Sequence, residues 1–257
     1  MAVAAGTEEL LVKATDELDR SRIPSIPLIA EVQRSRLATI ERPRDLAQYI
    51  EHTALKPDAT RRAIVTLCDE AKRFGFRGVC VNPVYVAEAK EQLASSGRAV
   101  VTVVGFPLGA NLSKTKAEET RAVIEHGADE VDMVICIGAL KAGEYEAVFA
   151  DIRAVVDAAG RIPVKVILET ILLDECQKIL GCLLAERAGA AFVKTSTGFA
   201  GGGATVEDVA LMRRVVGERV GIKAAGGIKD FQTARAMVMA GADRLGCSAS
   251  VAIVSES

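Results

Sequence analysis

From about residue 46 onward, short apolar runs alternate with stretches whose apolar positions recur at helical spacing. The runs with strand character are 49–53, 78–82, 99–104, 130–135, 164–169, 191–194, 220–224 and 243–247. They are rich in valine and isoleucine, and most lack the strict alternation of a strand with one wet face. That pattern predicts strands covered on both sides, and hence parallel pairing. The segments between them open at polar residues suited to helix starts, Asp58, Ser113 and Thr205. A spacing of about 25 to 30 residues per unit suits a strand, a helix and short loops. Eight such units across 44–257 predict a closed TIM (β/α)8 barrel rather than an open doubly wound sheet. Gly-Ala-Asp recurs at 127–129 and 241–243, with a near copy at 189–191, and each glycine is read as a helix C-cap before a strand.

Residues 1–43 differ in texture. Apolar positions 10, 11, 14 and 18 predict one amphipathic helix over Glu8 to Leu18, and Pro24 and Pro27 separate it from a second short helix around Leu28 to Leu37. The division expected is therefore a helical N-terminal extension, 1–43, and a barrel, 44–257. The extension is either a flanking cap or an oligomer contact.

Composition narrows the partners. Half of the 257 residues are hydrophobic, enough for one large core. The 32 Lys and Arg nearly cancel the 34 Asp and Glu, which removes any bulk electrostatic case for nucleic acid or an anionic membrane surface. Small solutes are the expected partners. The six cysteines have neither C-x-x-C spacing nor a metal-ligand rhythm and read as reduced thiols. Glu8 and Glu9 stand where a secretory signal needs its apolar region, and no 18-residue apolar run occurs, so a soluble, cytoplasmic protein is expected.

Four ionisable residues interrupt consecutive candidate strands: Asp132, Lys165, Lys194 and Lys223. One isolated lysine there is most simply a rim residue or half of a structural ion pair. The cluster argues for chemistry, because charges in a closed interior perturb one another. Lys194 and Lys223 on adjacent strands would repel by about 3 kcal/mol at an effective dielectric near 20, favouring loss of a proton from one of them. A neutral amine attacks an aldehyde or ketone to give an iminium ion, an electron sink that lets a neighbouring carbon–carbon bond break or form. Lys194 is the candidate nucleophile, with Asp132 and Lys223 moving protons. Gly198, Gly226-Gly227 and Gly246-Cys-Ser248 fall after strands 6, 7 and 8, and the loops after strands 7 and 8 are where such barrels often hold phosphate on backbone N–H groups. The run at 201–203 is left open between a site element and a flexible loop.

The segments YIEHTALKPDAT, VCVNPVYV, VVGFPLGA, DEVDMVICIGALKAGEYE, VKVILET, FVKTSTGF, GGATVEDV and IKAAGGIKD, in this order, resemble the signature segments of the deoxyribose-phosphate aldolase family over about 44–254. The resemblance implies a class I aldolase that cleaves 2-deoxy-D-ribose 5-phosphate to D-glyceraldehyde 3-phosphate and acetaldehyde, in deoxyribonucleoside catabolism. It implies a Schiff base on Lys194, proton transfer by Asp132 and Lys223, and phosphate binding at Gly198, Gly226, Gly227 and Ser248. It also implies a homo-oligomer, a dimer or tetramer. Ala225, Ala249, Cys136 and Glu51 depart from the residues frequent in the family, which are serine, serine, asparagine and aspartate.

Other readings remain open at this stage. A different Schiff-base phosphosugar aldolase or transaldolase would share the chemistry, and a non-catalytic phosphosugar-binding barrel would keep the glycines but have no use for the lysine pair. A zinc-dependent reaction would need more than His52 and His126, and no G-x-G-x-x-G follows the first strand, so neither metal nor nucleotide cofactor is expected. His52 reads as a hydrogen-bonded core residue, His126 as a helix C-terminal partner, and Cys80 and Cys247 as buried fillers.

Overall fold

The computed structural model describes residues 2–28 and 40–255, with side chains from Gly6 onward. The second short helix expected at Leu28 to Leu37 falls almost wholly outside them. Eight parallel strands close into a barrel in chain order: β1 (Ile50–Ala54), β2 (Gly78–Val81), β3 (Ala99–Val104), β4 (Glu130–Val134), β5 (Val164–Ile167), β6 (Phe192–Lys194), β7 (Gly221–Ala225) and β8 (Arg244–Cys247). Every residue of β2, β4, β5, β6 and β7 is buried, which is why the sequence shows continuous apolar runs rather than alternation.

After α1 (Ala2–Arg20) in the extension, the helices α2 (Arg61–Phe74), α3 (Val86–Gln92), α4 (Ser113–Glu125), α5 (Ile137–Ala142), α6 (Tyr145–Ala159), α7 (Glu175–Arg187), α8 (Val206–Val216), α9 (Phe231–Met239) and α10 (Ser250–Ser255) follow the strands. Thr205 caps α8 as expected, its hydroxyl accepting from the Asp208 N–H at 3.0 Å. Two expected starts move. Thr60, not Asp58, caps α2, and Ser113 is already the first residue of α4, preceded by Leu112, which offers no side-chain cap. The glycines of the recurring Gly-Ala-Asp motif, Gly127 and Gly241, have φ of 102° and 118°, left-handed values that end a helix cheaply only in glycine. The aspartates explain the rest of the motif. Asp129 accepts from the Val100 N–H of β3 at 2.8 Å, and Asp243 from the Ile222 N–H of β7 at 2.9 Å, so each ties its new strand to the preceding one.

The extension joins the same core. Ala14 and Leu18 of α1 are fully buried, and α1 lies on α7. Thr7 donates to Glu175 at 2.8 Å, and Arg187 reaches both Asp19 and the Ile23 carbonyl, at 2.6 and 3.0 Å. Among the described residues, no helix is long and apolar enough to cross a membrane.

Candidate active site

The barrel interior is not wholly apolar. Lys165, Lys194, Lys223 and Arg244 are buried there with Glu51, Glu130 and Asp132, each projecting from a strand. Register sets them side by side: Asp132 pairs with Lys165 across β4 and β5, Lys194 with Lys223 across β6 and β7, and Lys223 with Arg244 across β7 and β8.

Asp132 is the hub. Its Oδ1 accepts from Lys165 at 2.8 Å, and its Oδ2 accepts from Lys194 at 2.8 Å and from Lys223 at 2.6 Å. Lys223 also donates to Glu51 in a short contact, and Lys165 lies 2.7 Å from Glu130 and 3.5 Å from Glu51. Lys165 thus faces three carboxylates, Lys223 two and Lys194 one.

That ranking decides which amine gives up its proton most readily. Burial disfavours every charge here, but for Lys165 and Lys223 the carboxylates outweigh it, raising Lys165 and holding Lys223 well above the usual lysine value. Lys194 goes the other way. Burial lowers it first, Asp132 opposes, and the Lys223 ammonium lowers it further. Asp132 would be raised by burial, yet the three lysines together hold it well below the usual carboxylate range. If all these buried groups were ionised, the cations would outnumber the anions by one; a neutral Lys194 balances them. The direction matches the expectation from repulsion alone, but the leading cause is desolvation, and Asp132 stands between the two ammonium groups as a shared anion.

Above the lysines, at the carboxyl ends of the strands, opens a cavity of about 550 Å³. Of the three lysines buried inside the barrel only Lys194 lines it, and Gly198, Gly226, Gly227 and Ser248 line it as well. The candidate nucleophile, proton-transfer and phosphate residues therefore meet: four form the cavity wall beside Lys194, Asp132 accepts from its amine, and Lys223 donates to the same Asp132 oxygen.

The glycines at 201–203, left open above, have a definite place. A Cβ on Gly203 would lie 2.4 Å from the Gly226 carbonyl oxygen, and the Ala204 N–H donates to the Ala225 and Gly226 carbonyls, both at 3.1 Å. Lys56 and Lys229 also line the cavity, with no ion-pair partner among the described residues, and bring positive charge to it. Neither was singled out from the sequence, nor were Glu130 and Arg244. Glu130 had left a signal, since it stands two residues before Asp132 and so on the same face of the strand.

The remaining polar candidates are occupied structurally. His52 lies between Ser250, at 2.9 Å from Nδ1, and Glu70, at 2.8 Å from Nε2, while His126 Nδ1 sits 2.7 Å from the Ala122 carbonyl in the last turn of α4. Cys80 is fully buried and its thiol is raised, chiefly by burial; Cys247, on the cavity wall, is pushed up to about 12 for the same reason. Neither sulfur is poised as a thiolate.

The family model described as DeoC/LacD family aldolase matches residues 46–255. The deoxyribose-phosphate aldolase of Geobacillus sp. (strain WCH70) is 58% identical over 211 residues, covering 82% of this chain and 95% of the relative. That of Brevibacillus brevis is 56% identical over 210 residues, with the same shares of the two chains covered. Among solved structures, one from Coccidioides immitis assigned to this aldolase superposes with a TM-score of 0.84 at 40% identity, covering 97% of each chain. The tetrameric deoxyribose phosphate aldolase from Aeropyrum pernix superposes with a TM-score of 0.78 at 35% identity, covering 85% of this chain and 92% of that one.

Proposed function

Since this chain belongs to the DeoC/LacD family of aldolases, we propose that it reversibly cleaves 2-deoxy-D-ribose 5-phosphate into D-glyceraldehyde 3-phosphate and acetaldehyde, through a Schiff base on Lys194. In the cleavage direction the neutral Lys194 nitrogen attacks the aldehyde carbon of the open-chain sugar. The resulting carbinolamine loses its hydroxyl as water, which needs a proton. Lys223, held protonated by Asp132 and Glu51, is placed to supply it. The iminium then draws the electrons of the C2–C3 bond as the C3 hydroxyl gives up its proton, and D-glyceraldehyde 3-phosphate leaves. The enamine takes a proton at C2, and water releases acetaldehyde and restores Lys194.

Asp132, held ionised by the lysines around it, provides a fixed negative charge 2.8 Å from the nitrogen that becomes the iminium. Once Lys223 has given up its proton, one of the cations that hold Asp132 low is gone, and the two then take up the C3 hydroxyl proton and pass it on in relay. The phosphate is assigned to Gly198, Gly226, Gly227 and Ser248, with Lys56 and Lys229 adding charge. The tetrameric state of the Aeropyrum pernix relative supports self-association of this chain too.

One observation supports the reading above the others: of the three lysines buried inside the barrel, the one facing the cavity is the one whose amine is lowered. The test is borohydride trapping with acetaldehyde followed by peptide mapping, alongside direct assay with 2-deoxy-D-ribose 5-phosphate. A reduced ethyl adduct on Lys194 and turnover of the phosphosugar are expected. Trapping without turnover would point to another Schiff-base aldolase, and neither would point to a binding barrel.

A further inference from the structure

Glu169 lies two residues beyond β5 and has no place in the chemistry above, yet the backbone is contorted to hold it. Its φ of 58° and ψ of 63° are left-handed, a conformation that costs about 1–3 kcal/mol in a residue with a Cβ. Its side chain is buried, with the residue only 2% exposed. The turn is secured by the Leu172 N–H donating to the Glu169 carbonyl and the Thr170 N–H to the Thr195 carbonyl, both at 3.0 Å.

The carboxylate reaches one residue of the loop after β6. Oε2 accepts from the Thr197 N–H at 3.1 Å and from the Thr197 hydroxyl in a short contact, while Oε1 is buried without a hydrogen-bond partner. The Thr197 hydroxyl in turn accepts from the Phe199 N–H at 3.0 Å. Thr197 is thus fixed through both its backbone and its side chain, and with it the Thr197–Gly198–Phe199 turn that lines the cavity. Gly198 has φ of 83°, so the direction its backbone faces depends on how that turn is held.

We propose that Glu169 is a positioning residue: by clamping Thr197 it sets the phosphate-holding loop, and through it the preference for a phosphorylated over an unphosphorylated sugar. This rests on the assignment of Gly198 to the phosphate. Glu169 touches Thr197 and does not itself line the cavity, so its removal separates substrates that differ only in the phosphate.

The experiment compares kcat and KM for 2-deoxy-D-ribose 5-phosphate and 2-deoxy-D-ribose in wild type, Glu169→Ala and Glu169→Gln, with melting temperatures alongside. For Glu169→Ala, KM for the phosphorylated sugar is expected to rise about tenfold. Its kcat and the kcat/KM for 2-deoxy-D-ribose are expected to stay within about threefold. Glu169→Gln restores most of the loss, because its amide oxygen accepts both Thr197 donors and its NH2 takes the place of the unpartnered Oε1. Equal loss on both substrates, or no loss on either, overturns the proposal. Should Glu169→Ala not fold, Glu169→Asp keeps the charge but falls a methylene short of Thr197 and is judged by the same two outcomes. A wild type that neither turns over the phosphosugar nor traps acetaldehyde would refute the aldolase reading itself, a result distinct from any of these.

Discussion

Lys194 and Lys223 donate to the same oxygen of Asp132, at 2.8 and 2.6 Å, and their amines are nevertheless pushed in opposite directions. Both are buried, both face the same carboxylate, and register places them opposite each other on adjacent strands. The difference is Glu51, which Lys223 contacts and Lys194 does not. One extra carboxylate makes the first lysine a lasting cation, whose charge then helps strip the second. The proposed nucleophile and acid would thus arise from one residue type through unequal shares of negative charge.

Replacing Lys223 tests this division directly. In Lys223→Met the cation that lowers Lys194 is gone while Asp132 remains, so the Lys194 amine should hold its proton to higher pH. The midpoint of borohydride trapping against pH should move upward, and kcat/KM at neutral pH should fall at least about a hundredfold, since the proposed acid is lost as well. A midpoint that stayed in place would mean that burial alone sets the amine.

Asp132 links the site to stability. Its folded-state carboxyl lies well below the unfolded value of about 3.9, so its contribution is complete above that pH and is lost as pH falls through the folded value. Wild-type protein should therefore lose melting temperature below about pH 4, and Asp132→Asn should show a shallower acid slope. At pH 7 the same variant leaves buried lysines without their shared anion, at a cost of about 3–5 kcal/mol. Calorimetry from acid to neutral pH reads both effects, and a neutral-pH melting temperature equal to wild type would contradict the hub role.

The strands were legible because burial on both faces leaves continuous apolar runs, and charges standing inside such runs marked Asp132, Lys165, Lys194 and Lys223. What the chain order does not display is pairing in space. Nothing near Lys223 announces that its second anion is Glu51, on the first strand of the barrel, or that Arg244 and Glu130 complete the buried network. Helix starts slipped where more than one polar residue was available, as when Thr60 and not Asp58 caps α2. The glycines at 201–203 could not be separated from a flexible loop, because close approach of two loops is a tertiary fact.

That close approach makes its own prediction. In Gly203→Ala the new Cβ would meet the Gly226 carbonyl at 2.4 Å, with backbone on both sides, so neither partner yields by rotating a side chain. The strain must shift the 203–204 or 226–227 segment, and the second of these holds the proposed phosphate glycines. KM for the phosphorylated sugar should rise about tenfold or more, by the misplacement argument, with borohydride trapping of acetaldehyde on Lys194 retained. Loss of trapping would place the damage at the lysines instead.

The N-terminal extension should matter for stability and not for chemistry. Leu18 is fully buried, and α1 lies against α7, the helix that joins β5 to β6, whereas Lys194 projects from β6 into the barrel interior. Leu18→Ala should cost about 3 kcal/mol through lost burial and a residual cavity. In a chain of this size that lowers the melting temperature by roughly 10 °C. Below the new transition, kcat and KM should remain within about twofold of wild type, because Glu175, Tyr145 and Arg187, which α1 meets through Thr7, Glu17 and Asp19, do not line the cavity. The structure from Coccidioides immitis covers 97% of this chain, so the extension has a counterpart there, whereas the family model begins only at residue 46. A fall in kcat at temperatures where Leu18→Ala is fully folded would show that the helix reaches the site through α7, and would move the extension from support to function.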